Sequence, residues 1–358
     1  MKVALVYDRV NKWGGAERVL LALHKIYPEA DLYTSVYNRE GAPWAEEFSV
    51  KTTFLQKLPF ASSFHDLLAT FMPLAFESFN FDGYDLVISV TSEAAKGIIT
   101  KPGTLHICIC LTPTRYLWSG YNDYFKNPLI RFLSKPAVSY LRYWDKIAAN
   151  RPDSYLAIST EVKKRIKKYY GLESGLIPLA VADLGKPKET SEGGYYLIVS
   201  RLVYYKRIDI AVEAFNKLNL PLKIIGTGSE KDNLKRMANN NIEFLGEVAE
   251  GTLGNYYANC RALIFPGIED FGLVMVEAQS FGKPVIAFRG GGALDIIKEG
   301  VTGEFFDVQS AEALEKAMEK FQNKRYNAKL CTDNSKRFSF ANFKNSLLRE
   351  VDKGLKNL

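Results

Sequence analysis

Short runs of Val, Ile and Leu alternate with helical stretches along nearly the whole chain, and this most constrains the fold. VALVY (3–7), the start of DLYTSVY (31–37), DLVISV (85–90), HICICL (106–111) and SYLAIS (154–159) carry little polar alternation. Strands of that kind are covered on both faces, as in a parallel sheet flanked by helices. Helices are expected between them at 15–26, 62–76, about 127–149 and 160–170. The rhythm stops at 171–193, where Gly, Pro, Ser and charge read as a linker. It then resumes. YYLIVS, LKIIG, IEFLG, ALIFPG and PVIAF are the strands of a second series; IDIAVEAFNKL, SEKDNLKRMA, GTLGNYYANC and LVMVEAQSF are its helices. Two βα series joined by a linker predict an α/β protein of two Rossmann-like domains. The expected bounds are 1–178 for the first and 190–335 for the second, with the linker at about 179–189. A helical tail over 335–357 could cross back, so 336–358 is assigned to the first domain.

Length agrees, since 358 residues suit two domains. No apolar run reaches the length of a membrane span, and MKVALVYDRV enters a strand without the apolar core of a signal peptide. Cys108, Cys110, Cys260 and Cys331 form no CxxC pair, and there are only three histidines. Reduced thiols in a cytoplasmic protein are expected, with no metal cluster. The net charge is +7; residues 1–180 hold 22 Lys+Arg against 17 Asp+Glu, so most of the excess lies there. That bias fits an anionic lipid surface or substrate and is too weak for nucleic acid.

Ligands of such sheets sit at the carboxyl ends of the strands, so the loops there hold the candidate site residues. After the first strand, Gly14 and Gly15 precede a helix start that favours anions; an ordinary βα turn is the alternative. The loop is not GxGxxG, which argues against a nicotinamide dehydrogenase. After YYLIVS, Arg201 and Lys206 supply two cations suited to a diphosphate, or a solvated basic loop. After LKIIG, Gly226 and Gly228 form a GxG turn. After ALIFPG comes IEDFGLVMVEAQSFGKP. Glu269 falls in its loop, and a helix is expected from near Gly272 to before Gly282. The N–H groups of Leu273 and Val274 would face an anion. Glu277, inside that helix, has apolar neighbours in sequence. It is either salt-bridged to a lysine or bonded to a ligand hydroxyl. A helix start, two acids and two cations together describe a site for a sugar diphosphate nucleotide.

These segments resemble the retaining glycosyltransferases of family 4, over nearly the whole length. Glu269 to Glu277 matches that family's E-x7-E motif, SRLVYYKR matches its S-R-L…K-R segment, and Gly14, Gly15 and Glu17 match its G-G-x-E loop. The resemblance implies a GT-B fold: two facing Rossmann-like domains with parallel sheets and a C-terminal helix returning to the first. It implies catalytic roles for Arg201, Lys206 and Glu269. The cations would neutralise the donor diphosphate, and Glu269 would face the donor sugar. Glu277 would hold the ribose, and the backbone of Phe271, Gly272, Leu273 and Val274 would bind sugar hydroxyls and phosphate. Gly14, Gly15, Gly226 and Gly228 would line the donor site. GGAERVLLAL, YDLVISVTSEAAKG and TPTRYLW resemble the bacterial O-antigen and capsule mannosyltransferases. Arg115 and Tyr116 would then lie on the acceptor or donor-sugar side. The implied partners are GDP-mannose as donor and a glycan acceptor, lipid-linked, with no cofactor and no nucleic acid.

Leu111 departs from the pattern, because C-L-T-P-T-R-Y stands where the subgroup has C-H-T-P-x-R-Y. His106, five residues earlier, would point to the opposite face of a regular strand. A non-catalytic sugar-nucleotide-binding protein therefore stays open. Among enzymes the rival is a GT-B epimerase or phosphorylase, although an epimerase would be expected to use catalytic acids and a histidine in the cleft that this sequence does not offer. No D-x-D motif occurs; Asp82 and Asp85 in DGYD are wrongly spaced. Metal-independent transfer is expected, with Arg201 and Lys206 supplying the charge. The basic run Lys163–Lys168, the aromatic-rich 116–125 and the helix at 62–76 are the surfaces where an anionic membrane could be met, with solvated faces as the alternative. The protein would then be peripheral on the inner face of the membrane.

Overall fold

A computed structural model describes residues 1–58, 65–181, 184–185 and 194–358. The chain divides into two units, 1–180 with 340–358, and 181–339. Most of the expected linker at 179–189 lies outside the described residues.

The first unit holds a seven-stranded sheet. Its strands are β1 (Val3–Tyr7), β2 (Asp31–Thr34), β3 (Val50–Thr52), β4 (Leu86–Thr91), β5 (Leu105–Cys110), β6 (Ser154–Ala157) and β7 (Gly175–Leu176), in the order 3-2-1-4-5-6-7. All pairings are parallel. Every residue of β1, β4 and β5 is buried. This is why their sequences show no polar alternation. The order reverses between β1 and β4, which opens a crevice at their carboxyl ends.

The second unit holds six parallel strands: β8 (Tyr195–Val199), β9 (Leu222–Ile225), β10 (Ile242–Gly246), β11 (Cys260–Phe265), β12 (Val285–Phe288) and β13 (Gly303–Phe306). Their order is 10-9-8-11-12-13, with its reversal between β8 and β11. Its core joins Tyr196, Ile198 and Ile264 of the sheet to Phe215, Leu314 and Met318 of covering helices. Each such buried side chain contributes roughly 1.5–3 kcal/mol.

The helices at Gly15–Ile26, Pro128–Ala148 and Thr160–Tyr170 match the expected spans. The one expected over 62–76 does not. From His65 the chain runs as a 3₁₀ helix to Phe71, and a short α-helix follows at Met72–Glu77. Pro73 lies in the first turn of that α-helix, the position where a missing N–H costs nothing. Residues 62–64 of the expected helix lie outside the described residues.

The return to the first unit begins at Phe340, four residues later than expected. Residues Lys336–Phe338 form a 3₁₀ turn that stays with the second unit, because the Phe338 ring packs edge-on against Phe271 at 5.6 Å. The helix Phe340–Leu355 then buries Phe343, Leu347 and Val351, an i, i+4, i+8 stripe. Gly354 near its end lies so close to Leu105 of β5 that a Cβ there would come within 2.7 Å.

Candidate functional site

In sheets of this kind ligands bind at the strand-order reversal, and each unit has one.

In the second unit, the loop after β8 carries Arg201 and Lys206, and the loop after β11 carries Glu269. Because β8 and β11 are neighbours, residues 63 apart in sequence meet: Lys206 Nζ forms an ion pair with Glu269 Oε1. Lys206 is 7% exposed, and its ammonium also lies 5.5 Å from the Tyr205 ring. Arg201 is exposed and donates from Nη2 to the Tyr205 hydroxyl at 2.6 Å. Tyr205 thus sits beside both cations.

Gly226 and Gly228 are brought to the same loop, for a mechanical reason. Their φ angles are +129° and +157°. A Cβ on Gly226 would come 1.9 Å from the Ser200 carbonyl oxygen, and one on Gly228 would come 2.2 Å from that of Leu202. Leu202 N–H donates to the Thr227 carbonyl at 2.8 Å. The GxG turn therefore holds the loop bearing Arg201. A second glycine set supports the Glu269 loop: Gly292 N–H donates to the Glu269 carbonyl at 2.9 Å, and Cβ atoms at Gly291 and Gly292 would strike the carbonyls of Glu269 and Phe271 at 2.1 Å. Sequence reasoning missed these. The signal was the run Arg289-Gly-Gly-Gly directly after β12.

The helix after β11 spans Leu273–Ser280, with Gly272 at its N-cap at φ 95°. Leu273 and Val274 open its first turn. The Phe271 side chain is buried on Phe338. Glu277 is 1% exposed, and its partner is one the sequence reading overlooked. The Tyr257 hydroxyl, from the helix Glu250–Asn259, donates to Glu277 Oε2 at 2.7 Å. Tyr257 stacks on Phe281 at 5.9 Å between centroids. Replacing Tyr257 with Phe keeps that stack and removes the donor. We expect a loss of about 1–2 kcal/mol of stability, read from chemical denaturation of the second unit; an unchanged midpoint would show that the bond contributes nothing.

In the first unit, Gly14 caps the helix Gly15–Ile26. Glu17 in its first turn is buried and accepts from the Tyr7 hydroxyl at 2.8 Å. Burial, reinforced by the Glu17 charge, pushes the Tyr7 hydroxyl well above its ordinary pKa, so it stays a donor. The organising residue is Asp8, directly after β1. Its carboxylate accepts from Thr91 Oγ1 (2.8 Å) and from the backbone N–H groups of Ser92 (2.7 Å), Glu93 (3.1 Å), Ala94 (2.9 Å) and Ala95 (2.8 Å). It ties the loops after β1 and β4 together at the reversal point.

Beneath that loop, Lys96 and Asp145 form a buried ion pair at 2.6 Å. Burial works against the Lys96 charge, but Asp145 outweighs it and holds the ammonium above its ordinary pKa. Asp145 also accepts from Trp118 Nε1 at 2.7 Å and Thr114 Oγ1 at 3.1 Å. The segment carrying Arg115 and Tyr116 is fixed by these bonds; both residues are half-buried, and Tyr116 packs edge-on against Tyr124. Leu111 directly follows β5 and donates its N–H to the Thr91 carbonyl at 2.8 Å. His106 is fully buried and bonds Ser89 Oγ at 2.9 Å. Burial, with Arg151 nearby, lowers its pKa to about 3. Asp82 pairs with Lys101, and Asp85 accepts from Lys2 N–H.

Residues 183–338 match the family model of the glycosyl transferases group 1. That match covers the six-stranded unit and everything just assembled around β8 and β11. Two curated relatives extend it. An uncharacterized glycosyltransferase of Methanocaldococcus jannaschii is 28% identical over 207 residues, 55% of this chain and 58% of the relative. The O-antigen chain mannosyltransferase C of Escherichia coli is 26% identical over 230 residues, 61% of this chain and 62% of the relative. The chain thus spans about three fifths of their length. Among solved structures, Anabaena HepE in complex with UDP-glucose superposes with a TM-score of 0.70 at 19% identity, over 99% of this chain and 100% of that one. Sucrose-phosphate synthase from Thermosynechococcus elongatus reaches 0.75 at 16%, with both chains fully covered. These likenesses place the two Rossmann-like units in the GT-B fold.

Proposed function

We propose that the protein is a retaining glycosyltransferase. It would move a hexose, mannose from GDP-mannose in the first instance, to a lipid-linked glycan acceptor in cell-surface polysaccharide synthesis. The observation that carries this reading is the pairing of Lys206 with Glu269 at the β8–β11 reversal, inside the segment that matches the group 1 model. An ammonium largely withdrawn from water acts on a diphosphate more strongly than a solvated one. Arg201 adds a second, exposed cation. As the bond from C1 of the sugar to the diphosphate breaks, the diphosphate leaves with the electron pair. The acceptor oxygen bonds to C1 from the same face and gives its proton to the departing diphosphate. Lys206 and Arg201 would stabilise the charge that develops, so no metal is required. Glu269, released by Lys206 as the diphosphate arrives, would turn to the sugar hydroxyls, and Glu277 would hold the ribose. The mannosyltransferase relative supports the choice of donor, while the UDP-glucose in Anabaena HepE makes UDP-sugars its rivals.

Thermal shift against a panel of nucleotide sugars tests the reading. At a hundredfold excess over Kd, a bound donor stabilises by about 2.7 kcal/mol. GDP-mannose should raise the melting temperature most, and transfer should persist in excess chelator. No shift with any nucleotide sugar would sink the assignment. A larger shift with a UDP-sugar would replace the donor, and activity restored only by magnesium would overturn the metal-independent mechanism.

A further inference from the structure

The helix Pro128–Ala148 is amphipathic with its apolar stripe on the outside. Val138, Leu141 and Ala148 are buried on one side. On the other, Leu129, Phe132, Leu133, Tyr140, Tyr143 and Ile147 are between 44% and 71% exposed. At 3.6 residues per turn these six fall within about 100° around the axis, so they form one continuous stripe. Fully occupied, the helix would run about 31 Å. Isolated exposed apolar residues are ordinary; an aligned stripe of large ones marks a surface that meets something.

Its chemistry says what. Residues 126–148 hold Lys126, Arg131, Lys135, Arg142 and Lys146 against one acid, Asp145, and that acid is buried with Lys96. Lys135 and Lys146 lie exposed along one edge of the stripe, while Arg142 on the same edge is half-buried and donates from Nε to the Leu117 carbonyl at 2.7 Å. No helix among the described residues is long and apolar enough to cross a membrane. We infer that this stripe docks the first unit onto a bilayer surface carrying anionic headgroups, with the helix lying in the interfacial plane. The aliphatic residues enter the acyl boundary, Tyr140 and Tyr143 sit at headgroup level with their hydroxyls wet, and the basic edge meets the lipid charge. A second copy suits the stripe less well, since it would bring the same basic edge, and residues 126–148 hold no exposed acid to meet it. The basic run at Lys163–Lys168 does not form such a surface: Lys167 pairs with Glu173, and the buried residues of its helix are Val162 and Ile166. This inference does not depend on the transferase reading, although a lipid-linked acceptor would give it a purpose.

Flotation of the full chain with vesicles is the test, using zwitterionic phospholipid alone and the same lipid mixed with an anionic phospholipid. Binding should be stronger to the anionic vesicles and weaken with salt. Phe132→Asp with Leu133→Asp should reduce it about tenfold or more. Lys135→Glu with Lys146→Glu should remove the preference for anionic lipid. All four positions are exposed, so circular dichroism and the thermal shift with nucleotide sugar should stay at the parent values. That separates failure of this inference from failure of the donor site. No flotation of the parent chain, or flotation unaffected by either pair, would overturn it. So would sedimentation showing a dimer that Phe132→Asp makes monomeric, with no vesicle binding; the stripe would then belong to a second copy.

Discussion

Replacing Lys206 with alanine should lower kcat/KM for the proposed sugar transfer by about a thousandfold and leave both units folded. The expected size follows from what the ammonium faces. It stands almost out of water, at the carboxyl end of β8, where a fixed charge against a developing one is worth several kcal/mol. The structural cost is smaller. Glu269 is about 30% exposed in its side chain and can turn to solvent once its partner is gone. Lys206→Met sharpens the test, because it keeps most of the apolar stem and removes only the charge. Both variants should melt within a few degrees of the parent. Turnover near the parent value in Lys206→Met would remove this residue from the chemistry and the strongest support for the proposed reaction with it.

Replacing Asp8 with alanine destabilises the first unit by about 4 kcal/mol. The carboxylate serves four backbone N–H groups and a threonine hydroxyl. Each buried donor left without an acceptor costs about 1–3 kcal/mol, less whatever water can recover. Asp8→Asn should fare nearly as badly, since its amide puts two hydrogens where donors already converge. The readout is denaturation together with hydrogen exchange at residues 92–95, which should accelerate by about a thousandfold if the loop opens with the unit. A variant that melts with the parent and keeps those amides protected would show that the loop holds itself.

The strands that were easiest to read from sequence, β1, β4 and β5, are buried along their whole length, so their composition reports their environment directly. The ones that escaped are short or mixed. β3 is a three-residue edge strand with Lys51 exposed, β7 has two residues, and β13 reads Gly-Glu-Phe-Phe. Glu304 in β13 looks unfit for a core strand. It is nonetheless buried, bridged by Lys320 and Lys324 from the helix side, and these partners hold its carboxyl below the usual range against the opposing effect of burial. The site shows the same division. Arg201, Lys206, Glu269 and Glu277 could each be picked out by residue type and by position after a strand. That Lys206 meets Glu269 depends on strand order, and that Asp8 gathers the amides after β4 depends on β1 lying beside β4. Neither is local. The Tyr257–Glu277 bond joins two helices that no spacing rule connects. The outer face of the 128–148 helix is a different case, since its period was plain and only burial could say which side faces out.

The returning helix has a consequence for the order of events during synthesis. The second unit is one continuous segment, and its two ends are tied, Val181 N–H donating to the Phe338 carbonyl at 3.0 Å. The first unit is split, with Phe343, Leu347 and Val351 supplied from beyond the second. Domains usually mature in the order in which the ribosome delivers them. Here the middle of the chain can reach its final state while the beginning still waits for its last buried side chains. Until they arrive, the sheet of the first unit has bare apolar surface, and a chaperone would have something to hold.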